Sequence, residues 1–197
     1  MNNKLKSKDI ITIVLLSLIN IVIFGFGTFF YLNPVTILLM PVFYSLFQGI
    51  VFFMLGVKVQ KKGAILIYCI IQGVIGFNIP YILMFILAGI IGEAILAKTG
   101  YANPKGLTLS YVIMQLLASI GSTIYPYAIS LNATLNNMSE NTGDLNVYIE
   151  QAGHMIQSWG CLVLIIGIIL SALLGAFWGN KVMQRHILKA QRAELDD

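Results

Sequence analysis

Glu93 is the one charged side chain that lies well inside an apolar run. A carboxylate deep in a membrane costs roughly 2.5–3.5 kcal/mol on the insertion scale, so such a group is a functional candidate by default. It stands five residues before Lys98, roughly 7.5 Å along a helix. At that depth it can serve a structural or coupling role, or it can handle ions or protons. A second set of residues suits binding rather than reaction: Tyr31, Asn33, Asn78, Tyr81, Tyr125, Tyr127, Asn132, His154, Gln157 and Trp159. Singly, each fits the aromatic and polar belt that membrane proteins carry at headgroup level. Converging from several outer segments, these amides, phenols and one imidazole are what a small-molecule pocket open to the outside requires.

Other chemistries are poorly provided for. His154 and Met155 make an incomplete ligand set for a metal or haem, so no metal site and no cofactor is expected. Cys69 and Cys161 both fall in apolar runs without a CxxC spacing, which builds neither a disulfide framework nor a zinc site. The chain has no GxxxxGK[ST], HExxH or GxSxG motif and no pair of catalytic carboxylates. An enzyme is therefore not expected. A protein that binds outside and lacks a phosphate-cradling loop must run on an ion gradient or borrow energy from a partner.

The elements that position these residues follow from composition. Of 197 residues, 58% are hydrophobic and 10% charged, with a mean hydropathy of +0.85, whereas soluble domains carry about 25% charged residues. The fold class expected is an all-α integral membrane bundle, residues 1–197 forming a single membrane domain. About 20 apolar residues cross a hydrocarbon core of about 30 Å. That length predicts six spans, at 10–30, 35–57, 63–78, 80–97, 107–130 and 159–180, with an outer loop at 131–158 whose second half, from Asp144, suits an interfacial helix. Gly63 to Ala97 as one helix would be roughly 52 Å long, too long for a bilayer. Asn78-Ile79-Pro80 supplies the break, because the residue before proline avoids helical geometry.

Six spans put all 12 Lys and Arg on one side, in the N-terminal segment, the loops at 58–62 and 98–106, and the C-terminal tail. Basic loops stay in the cytoplasm, so both termini are expected there. The net charge of +4 is then a topology label, and no nucleic-acid partner is implied. The opposite side carries Glu140, Asp144 and Glu150 without a Lys or Arg, which favours a neutral or cationic ligand over a strongly anionic one. In the sixth span Gly167, Ser171, Gly175 and Gly179 recur every four residues. Small residues at this spacing let another helix approach closely, either a docking partner or a neighbour within the bundle.

Several segments, in order, resemble a known family: Lys8-Asp9-Ile10-Ile11-Thr12-Ile13, Leu39-Met40-Pro41, Val57-Lys58-Val59-Gln60-Lys61-Lys62-Gly63, Asn78-Ile79-Pro80, Gly92-Glu93 followed by Gly100-Tyr101, and Gly175-Ala176-Phe177-Trp178-Gly179-Asn180-Lys181. Together they look like the MptD-type (Trep/Strep) substrate-binding S components of energy-coupling factor (ECF) transporters. The resemblance implies a six-helix S component in the bacterial plasma membrane that captures a vitamin-like or other micronutrient outside. It also implies partnership with a membrane T subunit and two ABC-type ATPases, and toppling in the bilayer to release cargo inside. Other S components dock the T subunit through an Ala-x-x-x-Ala face on the first helix. Here that helix offers Ser17 beside the bulky Val14, Leu18 and Ile21, which makes the Gly167 to Gly179 stripe a possible substitute. The competing expectation is a self-sufficient secondary transporter or channel with Glu93 coupling ions.

Overall fold

The computed structural model describes residues 4–76, 78–137 and 144–187, and among these it contains helices and no strand. Glu140, Lys189 and Arg192, used in the charge assignment above, lie outside the described residues. Five apolar helical stretches are long enough to cross a membrane: Ser7–Phe30, Pro34–Lys58, Ile79–Thr99, Pro104–Ile129 and Asp144–Arg185. A sixth apolar helix, Ala64–Ile75, has 12 residues.

Local sequence explains where each element starts and stops. Helix α1 (Ser7–Gly25) places Asp9 in its first turn, where the carboxylate accepts from the Lys6 backbone N–H at 2.7 Å, and it continues into a 3-10 turn at Phe26–Phe30. Helix α2 (Pro34–Lys58) starts on Asn33, whose side chain accepts from Thr36 N–H at 3.0 Å, and on a proline whose missing N–H costs nothing at this position. Gly63, at φ +92°, turns the chain into α3 (Ala64–Ile75). Pro80 stands in the first turn of α4 (Ile79–Thr99), so the break falls at the expected tripeptide. Helix α5 (Pro104–Ser119) is capped by Asn103, which accepts from Lys105 and Gly106 N–H, and it widens into a π-helical segment at Ile120–Ile129 around Pro126. A short α6 (Leu131–Asn136) and then α7 (Asp144–Met155) follow. The chain bends at Ser158, whose ψ of −145° is non-helical, before entering α8 (Cys161–Val182).

Packing ranks these helices by how many neighbours they have. Only Ile13, Leu16, Ser17 and Asn20 of α1 are buried, a single stripe at helical spacing, so α1 lies at the periphery with its other face toward lipid. Helix α2 buries residues on several sides and is the central post. Helix α7 buries Ile149, Ala152 and Gly153; Ile149 and Ala152, with Ile156, join Ile37, Tyr127, Leu131, Leu164 and Ile168 in a second apolar cluster at the end remote from the lysines. At the basic end, Lys61 Nζ meets Asp9 at 2.5 Å and ties the N-terminal segment to the loop after α2.

Candidate substrate cavity

The shortness of α3 shapes the site. A 12-residue helix rises about 18 Å, well below the hydrocarbon thickness, so the α3–α4 turn stops inside the outer half of the bundle. Its level is marked by Gly121, where an added Cβ would lie 2.7 Å from the Cα of Tyr81 and 2.9 Å from the carbonyl oxygen of Pro80. The π-helical segment runs eight residues beyond Gly121. A recess therefore remains above the α3–α4 turn. It is walled by α2, α4, α5 and the π-helical segment, and α6 edges its mouth.

That recess is a cavity of about 210 Å³. Tyr31, Asn78, Tyr81 and Tyr127, all expected in a pocket, line it. Tyr81 and Tyr127 are buried, whereas Tyr31 stands at the rim. The other lining residues come largely from inside the spans: Phe24, Met40, Pro41, Tyr44 and Gln48, then Gln115, Ala118, Ser119, Ser122 and Pro126, with Gly76 and Thr134 at the edge. Gln48 and Gln115 sit near the middle of their spans and close the cavity from below. Gln115 Nε2 donates to Gln48 Oε1 at 3.0 Å, and both side chains are buried. Tyr44 stacks on Phe24 with ring centroids 5.4 Å apart, and its hydroxyl donates to the Phe24 carbonyl at 2.9 Å. Tyr81 meets Phe85 edge to face at 4.7 Å. No Asp, Glu, Lys, Arg or His lines the cavity.

The remaining expected pocket residues lie elsewhere. Asn33 caps α2 and is exposed. Tyr125 is exposed. Asn132, His154 and Gln157 line a separate, shallow surface cleft with Ser130 and Leu131, where Gln157 Nε2 donates to the Ala128 carbonyl at 3.1 Å. His154 stands 3.9 Å from Glu150 in the open. Trp159, 77% exposed, borders an apolar groove between the outer ends of α2 and α8. The cause is the bend at Ser158 together with the packing of α7. They turn one face of α7 inward, with Ile149 and Ala152, and leave His154 and Trp159 outside. Among the described residues no group of three His, Cys, Asp or Glu side chains is placed to hold a metal ion.

Glu93 lies away from the cavity and is fully engaged. Its Oε1 accepts from the backbone N–H of Ile65 at 2.8 Å and of Leu66 at 3.3 Å, and its Oε2 accepts from the Tyr101 hydroxyl at 2.7 Å. These amides are among the first four of α3, which have no partner within their own helix. The N-cap of α3 is Gly63, with no side chain to offer, so α4 supplies the cap from across the hairpin. Burial, reinforced by the bond to Glu93, pushes the Tyr101 phenol above its ordinary value and keeps it a donor.

The small-residue stripe faces α2. An added Cβ on Gly175 would lie 2.5 Å from the Ser45 carbonyl oxygen, and one on Gly179 would lie 2.6 Å from that of Gly49. Ser171 is buried, and a Cβ added to Gly167 would stand 3.4 Å from Val42 Cγ2. The seam joins two helices that run the same way. Ser17 is also turned inward, buried between α1 and α3, where its carbonyl accepts from Gln72 Nε2 at 3.4 Å. Next to it, Asn20 Nδ2 bonds the Tyr68 hydroxyl.

The functional residues missed by sequence reasoning are the intramembrane amides and hydroxyls, above all Gln48, Gln115 and Ser119. Their signal was present, since a polar side chain inside a span is expensive and faces the bundle interior. A search for amides and phenols confined to the outer ends of the spans passes over it.

A family model described as hypothetical bacterial integral membrane protein (Trep_Strep) matches residues 7–189. No curated protein matches the chain significantly, and no solved structure does.

Proposed function

We propose that this chain, which belongs to the Trep_Strep family of bacterial integral membrane proteins, is the substrate-binding subunit of an ECF-type ABC importer. The observation that carries the reading is the cavity: a recess at the end of the bundle opposite the lysines, closed from below at mid-membrane by Gln48 and Gln115. With the basic end in the cytoplasm, the cavity takes a micronutrient from outside. The sequence carries no phosphate-cradling GxxxxGK[ST] motif, so in this reading the energy comes from two partner ATPases through a T subunit, in the plasma membrane. The reading includes no catalysis by this chain.

The alternative, a self-sufficient transporter or channel with Glu93 coupling ions, has less support. Glu93 is occupied by two backbone amides and a phenol and does not line the cavity. Affinity purification of the chain from bacterial membranes separates the two readings. A T subunit and ATPases are expected to co-purify, and uptake is expected to stop when the ATPase lysines are substituted. Uptake driven by a proton or sodium gradient, in vesicles holding this chain alone, overturns the proposal.

A further inference from the structure

The cavity also carries information about its ligand, an inference that rests on reading it as a substrate site. We infer that the ligand is a small, uncharged molecule that carries both an N–H donor and a C=O acceptor, as a lactam, imide or carboxamide does, and that these groups dock on the Gln48–Gln115 pair.

The charge follows from the lining. A charged group taken from water into a low-dielectric recess needs an opposite charge, and none of the lining residues is ionised near neutral pH. This excludes anions and narrows the earlier preference for neutral or cationic ligands to neutral ones. A cage of aromatic faces can hold a bare cation, but two of the lining tyrosines are partly taken up by other rings. The face of Tyr44 is stacked on Phe24, and Tyr81 packs against Phe85.

The donor and acceptor follow from the glutamine pair. A primary amide offers one NH2 group and one carbonyl, and the single bond between the two residues uses one of each. That bond leaves over Gln48 Nε2 and Gln115 Oε1, although the Gln115 amide also reaches the Tyr111 hydroxyl, and both residues line the cavity. Amide orientation is assigned from the network, yet exchanging O and N on both residues leaves the same result. One donor and one acceptor of the pair always remain. Their complement is an acceptor and a donor on the ligand. The fully enclosed orphan polar atoms among the described residues, Ser17 Oγ and Asn20 Oδ1, lie on α1 residues that do not line the cavity.

The size follows from the volume. About 210 Å³ is below the roughly 300–1,000 Å³ of clefts that hold drug-sized ligands, so the occupant is of the order of a single substituted ring.

The test uses the full chain purified in lipid nanodiscs, titrated calorimetrically with uracil and nicotinamide, with their carboxylate counterparts orotate and nicotinate, and with choline. At least one of the two neutral compounds is expected to bind at least tenfold more tightly than its carboxylate counterpart and than choline. Gln48→Met and Gln115→Met are each expected to weaken that binding at least tenfold. Absence of binding by both neutral compounds overturns the inference, as does a charged compound binding as tightly as the neutral ones. Binding that persists undiminished in either folded glutamine variant removes the donor and acceptor from the assignment. Should a variant fail to fold, the comparison among ligands on the unaltered chain still decides. None of these measurements involves the T subunit or the ATPases, so failure here and failure of the importer reading are separate results.

Discussion

Helix α2 meets α8 on one side and the cavity on another, and it is built differently for each. Toward α8 it presents Val42, Ser45, Gly49 and Phe53, and the backbones approach so closely that a Cβ on Gly49 would stand 2.4 Å from the Gly175 carbonyl carbon. Toward the cavity it presents Met40, Tyr44 and Gln48, large or polar-tipped residues that hold space open. One residue along a helix is a turn of about 100°, so the two faces are neighbours in sequence and separate in space. Small residues make a seam where contact between backbones is the whole interaction. Large polar ones make a recess whose free hydrogen-bonding groups await a partner. The small stripe reports packing in this bundle, and under the proposed function the intramembrane amides report binding.

The sharpest way to break the comparison is Gly175→Leu. A side chain there meets the carbonyls of Ser45 and Leu46, which belong to backbone and cannot give way. Overpacking of this kind costs about 3 kcal/mol or more, and the variant is expected to lose most of its monodisperse peak in size-exclusion chromatography. A folded variant with unchanged thermal stability would return the stripe to the surface.

Next in size comes Glu93→Ala, which tests whether the α3–α4 hairpin beneath the cavity is held by its cross-helix cap. Removing a group that accepts from two helix-terminal amides and a phenol is expected to cost about 2 kcal/mol, read as a lowered midpoint in thermal unfolding. Glu93→Gln retains an acceptor and is expected to lose less. The reverse order, with Gln as damaging as Ala and gradient-driven uptake abolished in both, would point to ion coupling.

The smallest expected effect is that of His154→Ala, at an exposed side chain outside the cavity. Stability within about 0.5 kcal/mol of the unaltered chain is expected, with calorimetric ligand affinity unchanged. A tenfold loss of affinity would move the site to the surface cleft beside Asn132 and Gln157.

Much of the architecture was legible without coordinates. The break at Asn78-Ile79-Pro80 depends on neighbouring residues only, whereas the fifth helix starts at Pro104, three residues before the expected 107. The site was legible in part. Tyr31, Asn78, Tyr81 and Tyr127 were named and do converge, while Asn132, His154 and Trp159 come from the same kind of outer segment and do not. Nothing local to those residues separates the two groups. The bend at Ser158 and the burial of Ile149 and Ala152 decide it.

The sequence by itself determined the membrane class, the order of the helices and the end at which the lysines gather, because hydropathy and charge are sums over neighbouring positions. Only the tertiary structure decided that α3 stops short beneath a recess, that Glu93 caps a helix and that the glycine stripe is spent on α2. It also decided that Gln48 and Gln115, 67 positions apart, share a hydrogen bond. The physical reason is that a cavity and its free hydrogen-bonding groups are properties of how distant helices pack, which no window along the chain contains.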